Sequence, residues 1–245
     1  RTNIQIPESQ KRLIRELVAT GKPVALLLMS GRPLDISEEM DLPVSILQTW
    51  HPGVEAGNAI ADVVFGDVNP SGKLTMSWPR NVGQIPVYYG ERTTGRPAPT
   101  EEFQKFKSNY LDMSNSPLLP FGHGLSYTHF QYSEIKANSE TLHSGDSLVI
   151  STKVTNTGKM AGQEVVQLYI HDKVRSLTPP KKQLIAFEKI DLQPGESMTV
   201  EFSVSEEDLK FHNSQLEYVA EPGEFEFFVG GTSDCEMQGS FTLVE

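Results

Sequence analysis

Apolar positions along the 245 residues follow different rules in the two halves of the chain. In the first half they recur at helical spacing twice. Gln10, Leu13, Ile14, Leu17 and Val18 follow a Pro7 suited to a first helical turn, and Gly21 stands where a left-handed stop belongs. Ala56, Ala59, Ile60, Val63 and Val64 repeat the pattern over Glu55 to Phe65. Between these helices lie Pro23 to Met29 and Val44 to Trp50, runs apolar on both faces, as in parallel strands covered on both sides. Lys73 to Trp78 reads as a third strand. This order predicts an α/β unit. It starts on a helix without the strand that should precede it, and so reads as part of a larger domain.

The second half alternates with period two. Leu148, Ile150, Thr152 and Val154 form one inward face; Val166, Leu168 and Ile170 a second; Met198, Val200, Phe202 and Val204 a third; Phe225, Phe227 and Val229 a fourth. Asn156-Thr157-Gly158, Pro194-Gly195 and Pro222-Gly223 supply turns between such runs. Short strands at this spacing predict an antiparallel β-sandwich with an immunoglobulin-like plan. Between the halves, residues 80–120 are irregular and proline-rich, a length of loop that usually serves a site or an interface.

Charge sharpens the division. The net charge is −11, of which residues 127–245 carry −10 and residues 1–126 only −1. With the Pro/Gly-rich stretch Ser116 to Gly124, this predicts two domains, 1–126 and 127–245. An acidic chain argues against a sequence-independent nucleic-acid binder, which needs a basic footprint. Cys235 is the single cysteine, so internal disulfides and cysteine zinc clusters are excluded. The longest apolar run, Val24 to Met29, is far short of the ~20 residues of a membrane span. No signal peptide is visible, and a chain opening on Arg1 without Met reads as a piece of something longer.

Candidate chemistry is sparse. There is no GxGxxG, Walker loop, HExxH or GxSxG, and the six histidines never fall at metal-ligand spacing. Asp35, Glu38, Glu39 and Asp41 read as a solvated start of a helix, Asp62 and Asp67 as groups at a helix end, and Glu206 to Asp208 as a solvated turn. Tyr88, Tyr89, Arg92, Arg96, Phe103, Phe106 and Tyr110 allow two readings: a sugar platform of rings and guanidinium donors, or rings that pin a long loop and fill the seam to the sandwich. Trp50-His51-Pro52-Gly53 lies at a strand end, where open α/β sheets bind ligands, though a packed strand end with a Pro-Gly turn is the simpler reading.

Several strings then resemble one family. Gly21-Lys22-Pro23-Val24, Ser30 to Leu34 (SGRPL), Trp50 to Gly57 (WHPGVEAG), Asn58 to Asp62 (NAIAD), Val64 to Pro79 (VFGDVNPSGKLTMSWP), Gly95-Arg96-Pro97 and Leu119 to Tyr127 (LPFGHGLSY) resemble, in order, bacterial glycoside hydrolase family 3 β-glucosidases. Val154 to Gly158, Gly162 to Tyr169 (GQEVVQLY), Phe187-Glu188-Lys189 and Pro222 to Phe225 resemble the fibronectin type III-like domain that ends many of them. The resemblance covers almost the whole chain.

It implies a barrel, an αβα sandwich and a fibronectin-like domain, acting by a retaining mechanism with a nucleophilic Asp and an acid/base Glu. Neither carboxylate is assigned to this chain: the nucleophile belongs to the barrel, and the acid/base loop ends just before Arg1. The expected protein is therefore a partial αβα domain with a long connector (1–126) followed by a fibronectin type III-like β-sandwich (127–245). It would be the non-catalytic C-terminal portion of a periplasmic or secreted exo-acting β-glucosidase, or β-xylosidase, that needs no cofactor or metal. Its partners would be the barrel and, through the whole enzyme, a β-linked oligosaccharide or aryl glucoside, with no nucleic acid or membrane. Arg92, Arg96 and Tyr110 are the expected pocket rim, and Phe121 and Tyr127 the expected domain seam. The alternatives are a stand-alone carbohydrate- or surface-binding sandwich, which would have to work without tryptophan since Trp50 and Trp78 lie in the first half, and a complete small doubly wound enzyme.

Overall fold

The computed structural model describes every residue except Arg1, Pro99 and Met237; Arg1 and Pro99, both used in the sequence reading, lie outside the described residues. Helix α1 spans Glu8–Ala19, directly after Pro7, and Gly21 follows its C-cap at φ +69°. Strands β1 (Val24–Leu28) and β2 (Val44–Gln48) pair in parallel, from Val24 opposite Val44 to Leu28 opposite Gln48. The short helix α2 (Ser37–Met40) lies between them, and α3 (Ala56–Phe65) follows, ending at a left-handed Gly66. Ile6, Leu28, Ile36 and Trp78 form a small core, and Trp50 packs edge-on against Trp78 with ring centroids 5.8 Å apart.

Two expectations for this half are corrected. Lys73 to Trp78 is not a strand: Trp78 makes a lone bridge to Leu119, and Leu74 exchanges hydrogen bonds with the turn at Gly122 and His123. Leu74, Met76 and Trp78 alternate, but Met76 is exposed, so the pattern has no sheet beneath it. The acidic run is solvated only in part. Asp35 and Glu39 are buried, the latter at 2% exposure, whereas Glu38 faces outward and pairs with Lys11 at 2.8 Å. Burial pushes the Glu39 carboxyl above the usual range, and one of its oxygens has no hydrogen-bond partner.

The second half is all β. Its strands are β3 (Phe130–Ala137), β4 (Thr141–His143), β5 (Ser147–Asn156), β6 (Gly162–Asp172), β7 (Gln183–Leu192), β8 (Ser197–Ser205), β9 (Phe211–His212), β10 (Tyr218–Val219), β11 (Gly223–Gly230) and β12 (Gly239–Val244). A three-stranded sheet, β3-β5-β8, faces a five-stranded sheet, β4-β12-β11-β6-β7; β9 and β10 form a separate hairpin. Pairing is antiparallel except between β4 and β12, which are parallel, a departure from the expected plan. Inward residues of both sheets form the core: Leu148, Ile150 and Val154 on β5, Val166 and Leu168 on β6, Val200 and Val204 on β8, Phe225 and Val229 on β11. Met198, expected inside, is exposed at the start of β8.

A polar seam ties the halves together. Three alternate residues of the α/β half lie along the start of β6: the Asn69 amide donates to the Ala161 carbonyl (2.9 Å), the Ser71 hydroxyl to Gln163 Oε1 (3.3 Å), and Lys73 Nζ pairs with Glu164 at 3.0 Å. The Lys73 and Glu164 side chains are only 14% and 7% exposed. The Tyr132 hydroxyl donates to Glu164 at 2.9 Å, and a Cβ on Gly231 would stand 2.5 Å from Glu164 Oε1, so only glycine closes over the pair.

Candidate functional site

The irregular stretch between the halves is held by its own polar groups. The Arg80 guanidinium donates to the Ser116 carbonyl, and the Gln84 amide donates to the carbonyls of Asn115 and Ser116. The Glu101 carboxylate accepts from the Ser114 hydroxyl and from the Asn115 and Ser116 N–H groups; these donors, the hydroxyl foremost, hold its pKa below the usual carboxylate range. These bonds shape a half-open cavity of about 570 Å³, within the range of small-ligand pockets.

One wall comes from the sandwich. The Lys181 N–H donates to the Glu91 carbonyl at 2.9 Å, Arg92 bridges Pro180 as in an antiparallel ladder, and the Lys181 ammonium pairs with the Glu91 carboxylate. Residues 91–92 thus extend the five-stranded sheet beyond the start of β7. Tyr89 anchors this contact: its ring lies 4.4 Å from Phe121 and 5.7 Å from Tyr169, centroid to centroid. Phe121 is held in turn by its carbonyl, which accepts from the Ser233 N–H at 2.9 Å.

Of the residues singled out from sequence, Arg92 and Tyr110 line this cavity and Arg96 does not, although the Arg96 carbonyl accepts from the N–H of Ser108, which does. Phe103 and Phe106 point away, 54% and 74% exposed, and Tyr88 is also largely exposed. Phe121 sits half-buried at the seam. Tyr127 is 47% exposed and is tied to the α/β half by its hydroxyl, which donates to the Val63 carbonyl at 2.7 Å. Lys181 and Glu91 were not anticipated; no local pattern announces a contact made between loops ninety residues apart.

Elsewhere, Trp50 adopts φ +54° at the end of β2, and a Cβ on Gly31 would stand 2.8 Å from the His51 ring, so the two strand-end loops pack on each other. Glu206 to Asp208 form a single helical turn that Ser205 and Asp208 cap reciprocally. Among the described residues no group of three or more His, Cys, Asp or Glu side chains is placed to hold a metal ion. No helix among them is long and apolar enough to cross a membrane.

Chemically, the cavity offers donors and a ring face but no available acid. A general acid must hold its proton near neutral pH, usually through a raised pKa. Glu101 is shifted the other way, and Glu91 is engaged by Lys181.

Comparison with known proteins agrees with this architecture. The family model for the glycosyl hydrolase family 3 C-terminal domain matches residues 1–127, and the fibronectin type III-like domain model matches residues 164–233. A periplasmic β-glucosidase of Salmonella typhimurium is 53% identical over 100% of this chain and 32% of its own length. A β-xylosidase of Formosa agariphila is 42% identical over 96% of this chain and 32% of its own. The crystal structure of a Listeria innocua β-glucosidase in complex with glucose superposes with a TM-score of 0.92 at 41% identity, covering 99% of this chain and 34% of that one. The chain spans about a third of the length of the relatives it matches.

Proposed function

Because the chain belongs to glycoside hydrolase family 3, we propose that it is the non-catalytic C-terminal third of a retaining, exo-acting β-glucosidase, which removes terminal β-D-glucosyl residues from oligosaccharides or aryl glucosides. Residues 1–126 would complete an αβα domain beside a barrel, and residues 127–245 would brace it. The observation that carries this reading is the 53% identity to a periplasmic β-glucosidase across the whole chain but only 32% of that enzyme. The engaged state of Glu91 and Glu101 supports assigning both reacting carboxylates to other parts of the enzyme. The name of the same relative supports a periplasmic or secreted location.

The 42% identity to a β-xylosidase favours a second reading, in which the sugar removed is xylose. The choice between the sugars would fall to the barrel. A stand-alone binding sandwich fits less well, since residues 127–245 alone would strand Glu164 without Lys73.

The test is to replace the matching third of the Salmonella enzyme with this chain and assay 4-nitrophenyl β-glucoside and β-xyloside, with the chain alone as control. The chimera should turn over the glucoside and the chain alone nothing above buffer. Turnover by the chain alone, or a folded but inactive chimera, would overturn the proposal.

A further inference from the structure

The connector is held firmly at its two flanks and weakly at its tip. Upstream, the Lys181 N–H fixes the Glu91 carbonyl, and the Glu101 carboxylate is held by Ser114, Asn115 and Ser116. Downstream, Trp78 exchanges backbone bonds with Leu118 and Leu119, at 2.7 and 2.8 Å. Residues 102–108 lie between, all exposed except the half-buried Gln104. Three bonds tie this tip: the Gln104 N–H to Asn109 Oδ1 (2.7 Å), the Lys107 N–H to the Gln104 carbonyl (3.2 Å) and the Ser108 N–H to the Arg96 carbonyl (2.8 Å). Among the described residues the N–H groups of Glu102, Phe103, Lys105 and Phe106 donate no hydrogen bond within the molecule. Phe106 holds φ +67°, a left-handed conformation that costs a residue with a Cβ, and its ring stays mostly in water.

An endoprotease takes several residues of its substrate in extended form. A native protein is therefore cut where a stretch of chain can leave its place without disturbing the core. Residues 102–108 meet that requirement, and Lys105 and Lys107 stand on either side of Phe106. Basic residues of other loops are less suited. Lys22, Arg32 and Arg96 each precede a proline, whose amide has no N–H and a fixed φ. Lys159 sits in a turn closed by the Asn156 amide, which donates to the Met160 carbonyl at 2.8 Å. Lys173 and Lys181 are paired with Glu224 and Glu91, and their own N–H groups are bonded as well.

We propose that residues 102–108 are a processing site for a serine endoprotease that cleaves after basic residues, and that the cut chain stays together as one folded molecule. The step is a hydrolysis. The amide C–N bond after Lys105 or Lys107 breaks, the water oxygen joins the lysine carbonyl carbon as a carboxylate, and the nitrogen of Phe106 or Ser108 leaves as an ammonium carrying both water protons. Contacts that cross the cut hold the two parts: Lys73 with Glu164, Asn69 with Ala161, the Tyr127 hydroxyl with Val63, and Arg80 and Gln84 with Ser116. Thr100 and Glu101 of the cavity then belong to one part and Ser108, Asn109 and Tyr110 to the other. Cleavage thus loosens one wall of the cavity while the sandwich remains docked.

The experiment digests the full native chain with a trace of trypsin at neutral pH and identifies the first products by mass. They should begin at Phe106 or Ser108, and chymotrypsin should cut the same window after Phe103 or Phe106. On gel filtration the nicked protein should elute with the uncut chain and come apart in urea. Lys105→Gln combined with Lys107→Gln should remove these tryptic products while chymotrypsin still cuts. Glu101→Ala should speed the first cut about fivefold, the rise in open population expected from losing one net hydrogen bond. Thermal unfolding of each variant checks that its fold is kept. A first cut outside the window, a rate indifferent to Glu101→Ala, or parts that separate without denaturant would overturn the inference.

Discussion

Replacing Glu164 by Gln removes the anion from the pair that joins the two halves. Lys73 Nζ lies 3.0 Å from one Glu164 oxygen and 3.1 Å from the other, with both side chains mostly buried. At an effective dielectric constant of 20, a unit pair at 3.0 Å attracts by about 5 kcal/mol. Desolvation offsets much of that, so the pair contributes little over an apolar substitute, but breaking one side costs about 3–5 kcal/mol because the other charge is left buried. Glu164→Gln and Lys73→Met should each fall in this range, lowering the melting temperature by about 10 °C for a chain of this size. The double variant should lose clearly less than the sum. Both tryptophans, Trp50 and Trp78, sit in the α/β half, so tryptophan fluorescence follows that half while far-UV circular dichroism is weighted to the sandwich. The two signals should move together in the parent chain and separate in the single variants. Additive single effects, or losses under about 1 kcal/mol, would refute the idea that this pair couples the halves.

Gly231→Ala should mimic part of that damage by driving a methyl group into Glu164, at a cost of about 1–3 kcal/mol in urea unfolding. Tyr132→Phe should cost about 1–2 kcal/mol in the same assay by withdrawing a hydrogen bond from a buried carboxylate. Glu39→Gln should stabilise the chain at pH 7. A buried carboxyl with a raised pKa favours folding while protonated and loses that contribution as pH rises through its folded value, so the gain should shrink as pH falls towards 4; thermal melts from pH 4 to 8 test this. Trp78→Ala should cost about 3–5 kcal/mol, read by circular dichroism, since its ring is 1% exposed at the centre of the smaller core.

What was legible in the sequence followed local periodicity. β5 could be read residue by residue because Leu148, Ile150, Thr152 and Val154 all face inward, as alternation requires. α1 and α3 matched their apolar spacing and glycine stops to within a residue or two. β7 escaped because its outer half breaks the rule: Phe187 is 67% exposed on an edge strand, so apolar character no longer reports burial. Lys73 to Trp78 misled for the opposite reason, since alternation arises equally in a segment that pairs with one turn. At the candidate site, Arg92 and Tyr110 stood out as donors and rings within a proline-rich loop, whereas Lys181 could not, because sheet-edge pairing between distant segments brings it there. Glu164 did leave a trace: a lone acid at the head of an otherwise buried strand demands a partner, though nothing local says that the partner is Lys73.

The ladder contact between Arg92 and Pro180 also changes how this molecule meets others of its kind. A sheet margin with free amides invites another polypeptide to add on, and the sandwich blunts some of its margins. One margin is the three-residue β4, the start of the opposite one is occupied by the connector, and β3 is interrupted by an irregularity between Ser133 and Lys136, which leaves β8 and the rest of β7 as the open margins of the sandwich. The parallel pair β1–β2 enjoys no such protection, with two bare margins and Met29 and Val54 uncovered just beyond its strands. In concentrated solution, unwanted stacking between molecules should therefore begin at the α/β end or along β8, and not at β4 or the strapped start of β7.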